Sequence, residues 1–214
     1  MKNRMLGDLK ISAMGLGCMG LSEFYGETTE NPVDVVSRAY ELGINFYDTA
    51  NIYGFGHNET LLGGIFNQLG IAREDIIIAS KCGVVRDKLD PSKRGVDNSP
   101  EYIKNCCDES LKRLDTDHID LYYLHRIADK GTHIEESITA LQELLAAGKI
   151  RYIGLCEASP DVIRRAHQIH PITAIQSEYS LMTRIPETNG VLKTCQELNI
   201  GFVPYSPICR GLLT

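Results

Sequence analysis

Short β-rich runs alternate with amphipathic helical segments along the whole chain, and this alternation limits the fold more than any other feature. The runs lie at 13–19, 44–48, 76–80, 119–124, 150–155, 173–177 and 200–205. Several carry few charges on either face, as strands do when helices cover both sides of a parallel sheet. The segment 31–42 places Val33, Val36, Ala39 and Tyr40 at helical spacing and stops at Gly43. Ser99-Pro100-Glu101 and Ser159-Pro160-Asp161 each read as N-cap, first-turn proline and early acid, opening helices to about 114 and to 169. Ile134, Ile138, Leu141, Leu144 and Leu145 form another apolar stripe before Gly148, and a last helix fits 187–198.

Strand–helix units of this kind build a parallel sheet. Seven strands at near-even spacing predict an α/β fold, a TIM (β/α)8 barrel lacking its last unit, as one domain over 1–214. Gly7-Asp8 between apolar pairs predicts a small hairpin over 5–12 at the barrel bottom. A doubly wound dinucleotide fold competes, because Gly15-Leu16-Gly17-Cys18-Met19-Gly20 spells GxGxxG. Its third glycine leads into a loop reaching Pro32 rather than into a helix, which counts against that fold.

A barrel gives its strand ends chemical meaning, since active sites sit on the C-terminal face. Asp48 and Tyr53 follow one strand, Lys81 follows the next, and His125 closes the third. Taken singly, each has a plainer structural reading: a solvated lysine, a His125-Arg126 surface turn. Together they form a proton-donating set. Tyrosine ordinarily titrates near ~10. A neighbouring Lys81 ammonium is expected to lower that value, with Asp48 keeping the lysine charged and oriented. His125 can hydrogen-bond a substrate oxygen or share in proton transfer. The set suits protonation of oxygen as a carbonyl becomes an alcohol, with a cofactor supplying the hydride.

Composition removes other classes. A net charge of −6 without a Lys/Arg-rich run argues against nucleic acid as a partner. No apolar stretch approaches the roughly 18 residues of a membrane span, and the N-terminus lacks a signal core, so a cytoplasmic location is the expectation. The seven cysteines form no CxxC pair, which points to free thiols rather than to zinc or disulfides.

The longer motifs around these residues resemble those of the aldo-keto reductase family. Gly43 to Gly54, followed by Asn58-Glu59 and Leu62-Gly63, resembles its longest signature. Ala79-Ser80-Lys81 is similar to its lysine motif and Leu121-Tyr122-Tyr123-Leu124-His125-Arg126 to its histidine motif. Ile153-Gly154-Leu155, Gln176 to Ser180 and Val203 to Pro207 are similar to later landmarks. The resemblance implies NADPH lying across the barrel mouth and a small aldehyde or ketone as substrate. It makes Tyr53 the general acid, Lys81 and Asp48 its tuning partners, and His125 the group that orients the carbonyl. Gln176 would bind the nicotinamide carboxamide, and Tyr205 would stack on the ring. Gly17, Cys18 and Met19 would lie beside the nicotinamide half, and Ser206, Pro207, Ile208, Arg210, Gly211 and Leu212 would follow the pyrophosphate.

Three departures from the family pattern stand out. Cys156-Glu157 replaces Ser-Asn after the fifth strand, and a thiol is a weaker partner for a carboxamide than a hydroxyl. Cys209 stands where glycine is usual, which matters if the position needs positive φ. The family continues through an eighth strand and a loop gripping the adenosine 2′-phosphate, which the sequence to Thr214 does not contain. The competing reading is therefore a catalytically weak cofactor-binding or interaction protein of the same fold. A Schiff-base aldolase using Lys81 is a third, and it leaves Tyr205 and Gln176 without a role. The mixed-charge loop 86–97 has two readings, a border of the substrate or a solvated loop, and Phe24, Tyr25, Arg126 and Met182 are further candidates for the pocket wall.

Overall fold

The computed structural model describes residues 1–22, 31–87, 89–90, 93–128 and 134–214. Two strands, β1 (Asn3–Leu6) and β2 (Leu9–Ser12), form the predicted antiparallel hairpin. Then come β3 (Gly15–Gly17), α1 (Pro32–Glu41), β4 (Phe46–Asp48), α2 (His57–Leu69) and β5 (Ile77–Cys82). A second hairpin, β6 (Val84–Arg86) and β7 (Arg94–Val96), precedes α3 (Pro100–Leu114), β8 (Ile119–Leu124), α4 (Ile134–Ala146) and β9 (Ile150–Cys156). The chain continues with α5 (Pro160–Ile169), β10 (Ala174–Glu178), α6 (Ile185–Thr188), α7 (Val191–Glu197) and β11 (Gly201–Tyr205).

The large sheet has seven parallel strands in chain order, β3-β4-β5-β8-β9-β10-β11. No reversal of order occurs, so the sheet is the wall of a barrel and not a doubly wound sheet. Gly15–Gly17 is its first strand and Gly20 lies in a 3-10 turn over Cys18–Leu21, so the GxGxxG run opens no helix. Two apolar layers result. Outward strand residues pack with the helices in the larger cluster, which includes Tyr47, Ile78, Tyr122, Leu124, Ile153 and Ile175. Inward residues Phe46, Ala79, Leu121, Tyr123 and Ala174 fill the barrel with Leu6, Leu9 and Ile11 of the first hairpin. That hairpin plugs the bottom: a Cβ on Gly201 would lie 2.5 Å from the Leu6 Cα.

The caps read at Ser99 and Ser159 form, and Asn31 adds a third. The side chains of Asn31, Ser99 and Ser159 accept from the main-chain N–H groups of Val33, Tyr102 and Val162, with proline in each first turn. Three elements differ from expectation. Helix α2 has no counterpart in the periodicity reading, because it has no clean stripe: Asn58, Glu59 and Gly63 are buried beside Leu62, Ile65 and Phe66. The segment 187–198 is two short helices, separated at Asn189-Gly190. Part of the 86–97 loop pairs as the second hairpin.

Packing of α2 on α3 demands a glycine. A Cβ on Gly63 would stand 2.5 Å from the Leu114 carbonyl oxygen, whereas one on Gly64 meets nothing within 4 Å. Replacing helical glycine by alanine ordinarily stabilises by up to ~1 kcal/mol. Gly64→Ala is expected to give that gain. Gly63→Ala is expected to lose about 1–3 kcal/mol through overpacking. Thermal unfolding of the two variants checks the opposite signs; equal effects would refute the contact.

Candidate active site

Strand register delivers the site. Cα partners across the sheet run Gly17 with Asp48, Lys81 with Tyr123, Cys156 with Gln176, and Glu178 with Tyr205. Each polar residue is thus set at the same end of its strand. Tyr53 arrives from a tight turn over Tyr53–Gly56 that links β4 to α2. His125 follows β8 directly, its main-chain N–H donating to the Cys82 carbonyl at 2.7 Å.

Lys81 is the centre. Its side chain is 0 % exposed. Its Nζ is paired with Asp48 Oδ1 and donates to the Thr49 carbonyl at 2.8 Å. The ammonium lies 5.4 Å from the Tyr53 ring centroid and 6.0 Å from that of Tyr123. Burial works to discharge it, but Asp48 and Tyr53 outweigh burial and raise its pKa above the ordinary lysine value. A Cβ on Gly154 would stand 2.4 Å from the Tyr123 ring, so that ring occupies the space a side chain would take.

Tyr53 corrects one expectation. Lys81 does lower its pKa, through charge and a hydrogen bond, yet burial is the larger influence and the net shift is upward. The phenol is therefore fully protonated at neutral pH. His125 meets Tyr53 edge-on at 5.8 Å between centroids. Burial, with help from the Lys81 and Arg126 charges, holds its pKa well below the usual histidine value. Its Nδ1 is buried with no hydrogen-bond partner among the described residues.

These groups open on a cleft of about 670 Å³ lined by Asp48, Tyr53, His125 and Gln176, among others. Gly17, Met19, Tyr205, Ser206 and Arg210 also line it. Cys18 and Cys156 do not: both are buried, at 0 % and 1 % exposure. Cys18 Sγ turns to the Leu16 carbonyl. Cys156 Sγ sits 3.9 Å from Gln176 Oε1, with its thiol pKa pushed up to about 12 by burial. Pro207, Ile208, Gly211 and Leu212 are exposed and outside the lining. Cys209 has φ 51, so cysteine stands in a left-handed conformation that costs about 1–2 kcal/mol.

Several residues gain roles that the sequence did not reveal. Gln176 Nε2 donates to Asp48 Oδ2 at 2.8 Å. Glu157, also at positive φ, accepts the Glu178 main-chain N–H at 2.9 Å, and burial followed by the Glu157 carboxylate pushes the Tyr205 phenol pKa up. Arg94, Gly95 and Val96 line the cleft. Arg86 instead braces the Tyr53 turn, donating to the Ile52 carbonyl at 3.0 Å and lying 4.4 Å from the Phe55 ring centroid. Arg126 lines the cleft, whereas Met182 is exposed outside it. Phe24, Tyr25 and Lys88 lie outside the described residues.

Comparison with known proteins identifies the family. The sequence profile described as "Aldo/keto reductase family" matches residues 13–214. The chain belongs to the aldo/keto reductase family. It is 48% identical over 204 residues to "Probable aldo-keto reductase 1" of Glycine max, covering 94% of this chain and 57% of that protein. It is 44% identical over 215 residues to aldo-keto reductase yakc of Schizosaccharomyces pombe, whose name carries NADP(+), covering 99% and 62%. Among solved structures, aldo-keto reductase AKR11C1 from Bacillus halodurans, a holo form, superposes with TM-score 0.86 at 38% identity, covering 100% of this chain and 69% of that one. The glycerol dehydrogenase AKR11B4 from Gluconobacter oxydans gives 0.88 at 32%, covering 99% and 65%. The chain thus spans 57–62% of the length of these two sequence relatives.

Two outcomes follow from the electrostatics. Asp48→Asn leaves the Lys81 ammonium buried without its carboxylate, and urea unfolding is expected to show a loss of about 3–5 kcal/mol. For His125, the folded ring binds fewer protons than the unfolded one between its depressed pKa and the ordinary value near ~6.5. Its contribution is full above about pH 6.5 and is lost as pH falls through that window. His125→Gln is expected to flatten part of the acid limb in unfolding measured at several pH values. An unchanged slope would contradict a buried neutral ring. His167 and His170 shift the same way, chiefly by burial, and contribute to the slope that remains, together with carboxylates held low by basic partners, such as Glu187 and Glu197.

Proposed function

We propose that the chain carries the catalytic face of an NADPH-dependent carbonyl reductase, with Tyr53 giving its proton to the oxygen of an aldehyde or ketone. One observation carries the reading: a fully buried lysine shared by a carboxylate and a phenol, opening on a cleft beside a neutral histidine.

The residues fit the cofactor. Asp48 can only accept, so it fixes the Gln176 amide with Nε2 toward itself. That leaves Gln176 Oε1, whose partner is a weakly donating thiol, to accept from a carboxamide N–H. Tyr205 offers a flat ring in the cleft wall. Arg210 adds positive charge at the cleft for a pyrophosphate. The choice of NADPH follows the relative whose name carries NADP(+). Bound NADPH supplies the hydride.

Within the chain the work is divided. His125, neutral, orients the carbonyl oxygen by hydrogen bonding beside Tyr53. As negative charge grows on that oxygen, Tyr53 releases its proton, and the Lys81 ammonium stabilises the phenolate left behind. Asp48 and the Thr49 carbonyl hold that ammonium in place through the transfer.

A second reading is a cofactor-binding protein of weak activity and the same fold, since the Cys156 thiol beside Gln176 is a weaker hydrogen-bond partner than the hydroxyl of the family pattern. Titration with NADPH followed by nicotinamide fluorescence, then addition of 4-nitrobenzaldehyde, separates the two. Binding with turnover is expected, and Tyr53→Phe should lower kcat by about 10²–10⁴ while NADPH affinity stays. Binding without turnover supports the second reading. No binding at roughly millimolar NADPH sinks both.

A further inference from the structure

Behind the site lies a buried ionic network that proton transfer does not use. Glu59 near the start of α2 is 0 % exposed. Its Oε1 accepts from Ser80 Oγ at 2.5 Å, and its Oε2 accepts from Arg113 Nε at 2.7 Å. Ser80 directly precedes Lys81 on β5. Arg113 comes from the last turn of α3, and its Nη2 donates to Ser110 Oγ at 3.2 Å.

Arg113 also reaches the turn that carries Tyr53. In that turn Gly54, Phe55 and Gly56 all have positive φ, at 56°, 55° and 92°. A Cβ on Gly56 would lie 2.7 Å from Arg113 Cδ and 2.8 Å from its Nε. The guanidinium arm therefore crosses directly over Gly56. A second contact from α3 supports the same loop, where Asn51 Nδ2 donates to Cys106 Sγ at 3.4 Å. Asn51 in turn donates its main-chain N–H to the Lys81 carbonyl at 3.2 Å. An expensive buried charge pair is thus placed where the turn of the acid and the strand of the lysine meet one helix.

We propose that Arg113 is a positioning residue: through Glu59 and Ser80 it clamps the Tyr53 turn against β5, and so sets the separation of the phenol from the Lys81 ammonium. The inference rests on Tyr53 being the proton donor. Loss of the arm frees the left-handed turn, Tyr53 drifts from Lys81, and the chemical step slows without loss of the cofactor site.

The test uses Arg113→Met, Arg113→Lys and the double variant Arg113→Met/Glu59→Gln, which removes the stranded carboxylate and protects the fold. Kinetics are measured with NADPH and 4-nitrobenzaldehyde. In parallel, the protein is labelled with 3-fluorotyrosine and the ¹⁹F resonance of residue 53 is assigned through Tyr53→Phe. Arg113→Met and the double variant are expected to lose kcat by on the order of 10² with KM unchanged. The pH profile of kcat should move to higher pH, since the phenol keeps its burial and loses its cation. The residue 53 resonance should shift, and Arg113→Lys should restore most of each effect. A folded double variant with wild-type kcat, pH profile and ¹⁹F resonance overturns the proposal. If the wild-type chain binds NADPH yet turns nothing over, the reductase reading fails. The ¹⁹F comparison then decides the clamp alone: a shift supports it and none refutes it.

Discussion

The ammonium of Lys81 is the group around which the rest is arranged. Sealing a lysine from water between two tyrosine rings favours its neutral form. Asp48, with help from Tyr53, reverses that preference, the Thr49 carbonyl accepts from the ammonium, and Gln176 fixes the second carboxylate oxygen. A well-packed apolar residue at the same place would serve stability at least as well. The charge is therefore best understood through its effect on Tyr53. It counters the burial that pushes the phenol upward, and it does so from a position solvent cannot screen.

Holding that charge still is a task for the whole barrel wall. Parallel register puts Asp48, Lys81, His125 and Gln176 at matching strand ends, so a slip of one residue would turn each side chain to the opposite face. The close contacts of Gly154 with Tyr123 and of Gly201 with Leu6 leave little freedom for such a slip. The helices add a second layer of constraint: α3 reaches the Tyr53 loop through Cys106 and Arg113 while packing on α2 at Gly63.

Much of this was legible in the sequence, for reasons that can be named. Parallel strands covered on both faces produce charge-poor runs, and Ser-Pro-acid starts mark helix entries, so the order of elements could be read directly. The four polar residues were legible because strand ends of a barrel share one face. Helix α2 was not, since it enters through Gly56 without a side-chain cap and buries an asparagine, a glutamate and a glycine. The second hairpin was hidden by its charge, with Arg86 opposite Arg94. Gln176 as partner of Asp48, 128 residues earlier, is a product of the curvature of the sheet that no local pattern announces. Burial acting against Lys81 at Tyr53 is likewise a three-dimensional fact. A sequence names the neighbours of a phenol but not the water excluded from it.

The distribution of thiols gives the chain a built-in set of reporters. All seven cysteines are free, and five of them are buried: Cys18 after β3, Cys82 at the end of β5, Cys107 on α3, Cys156 at the end of β9 and Cys195 on α7. Burial is the leading cause that raises each of these five thiols, so none offers a reactive thiolate while its surroundings stay closed. Alkylation at any of them must then wait for local opening, and its rate measures how often that part of the wall comes apart. Read around the barrel, the five rates form a map of cooperative units, from the first strand to the last helix, obtained with a mass spectrometer and a single reagent.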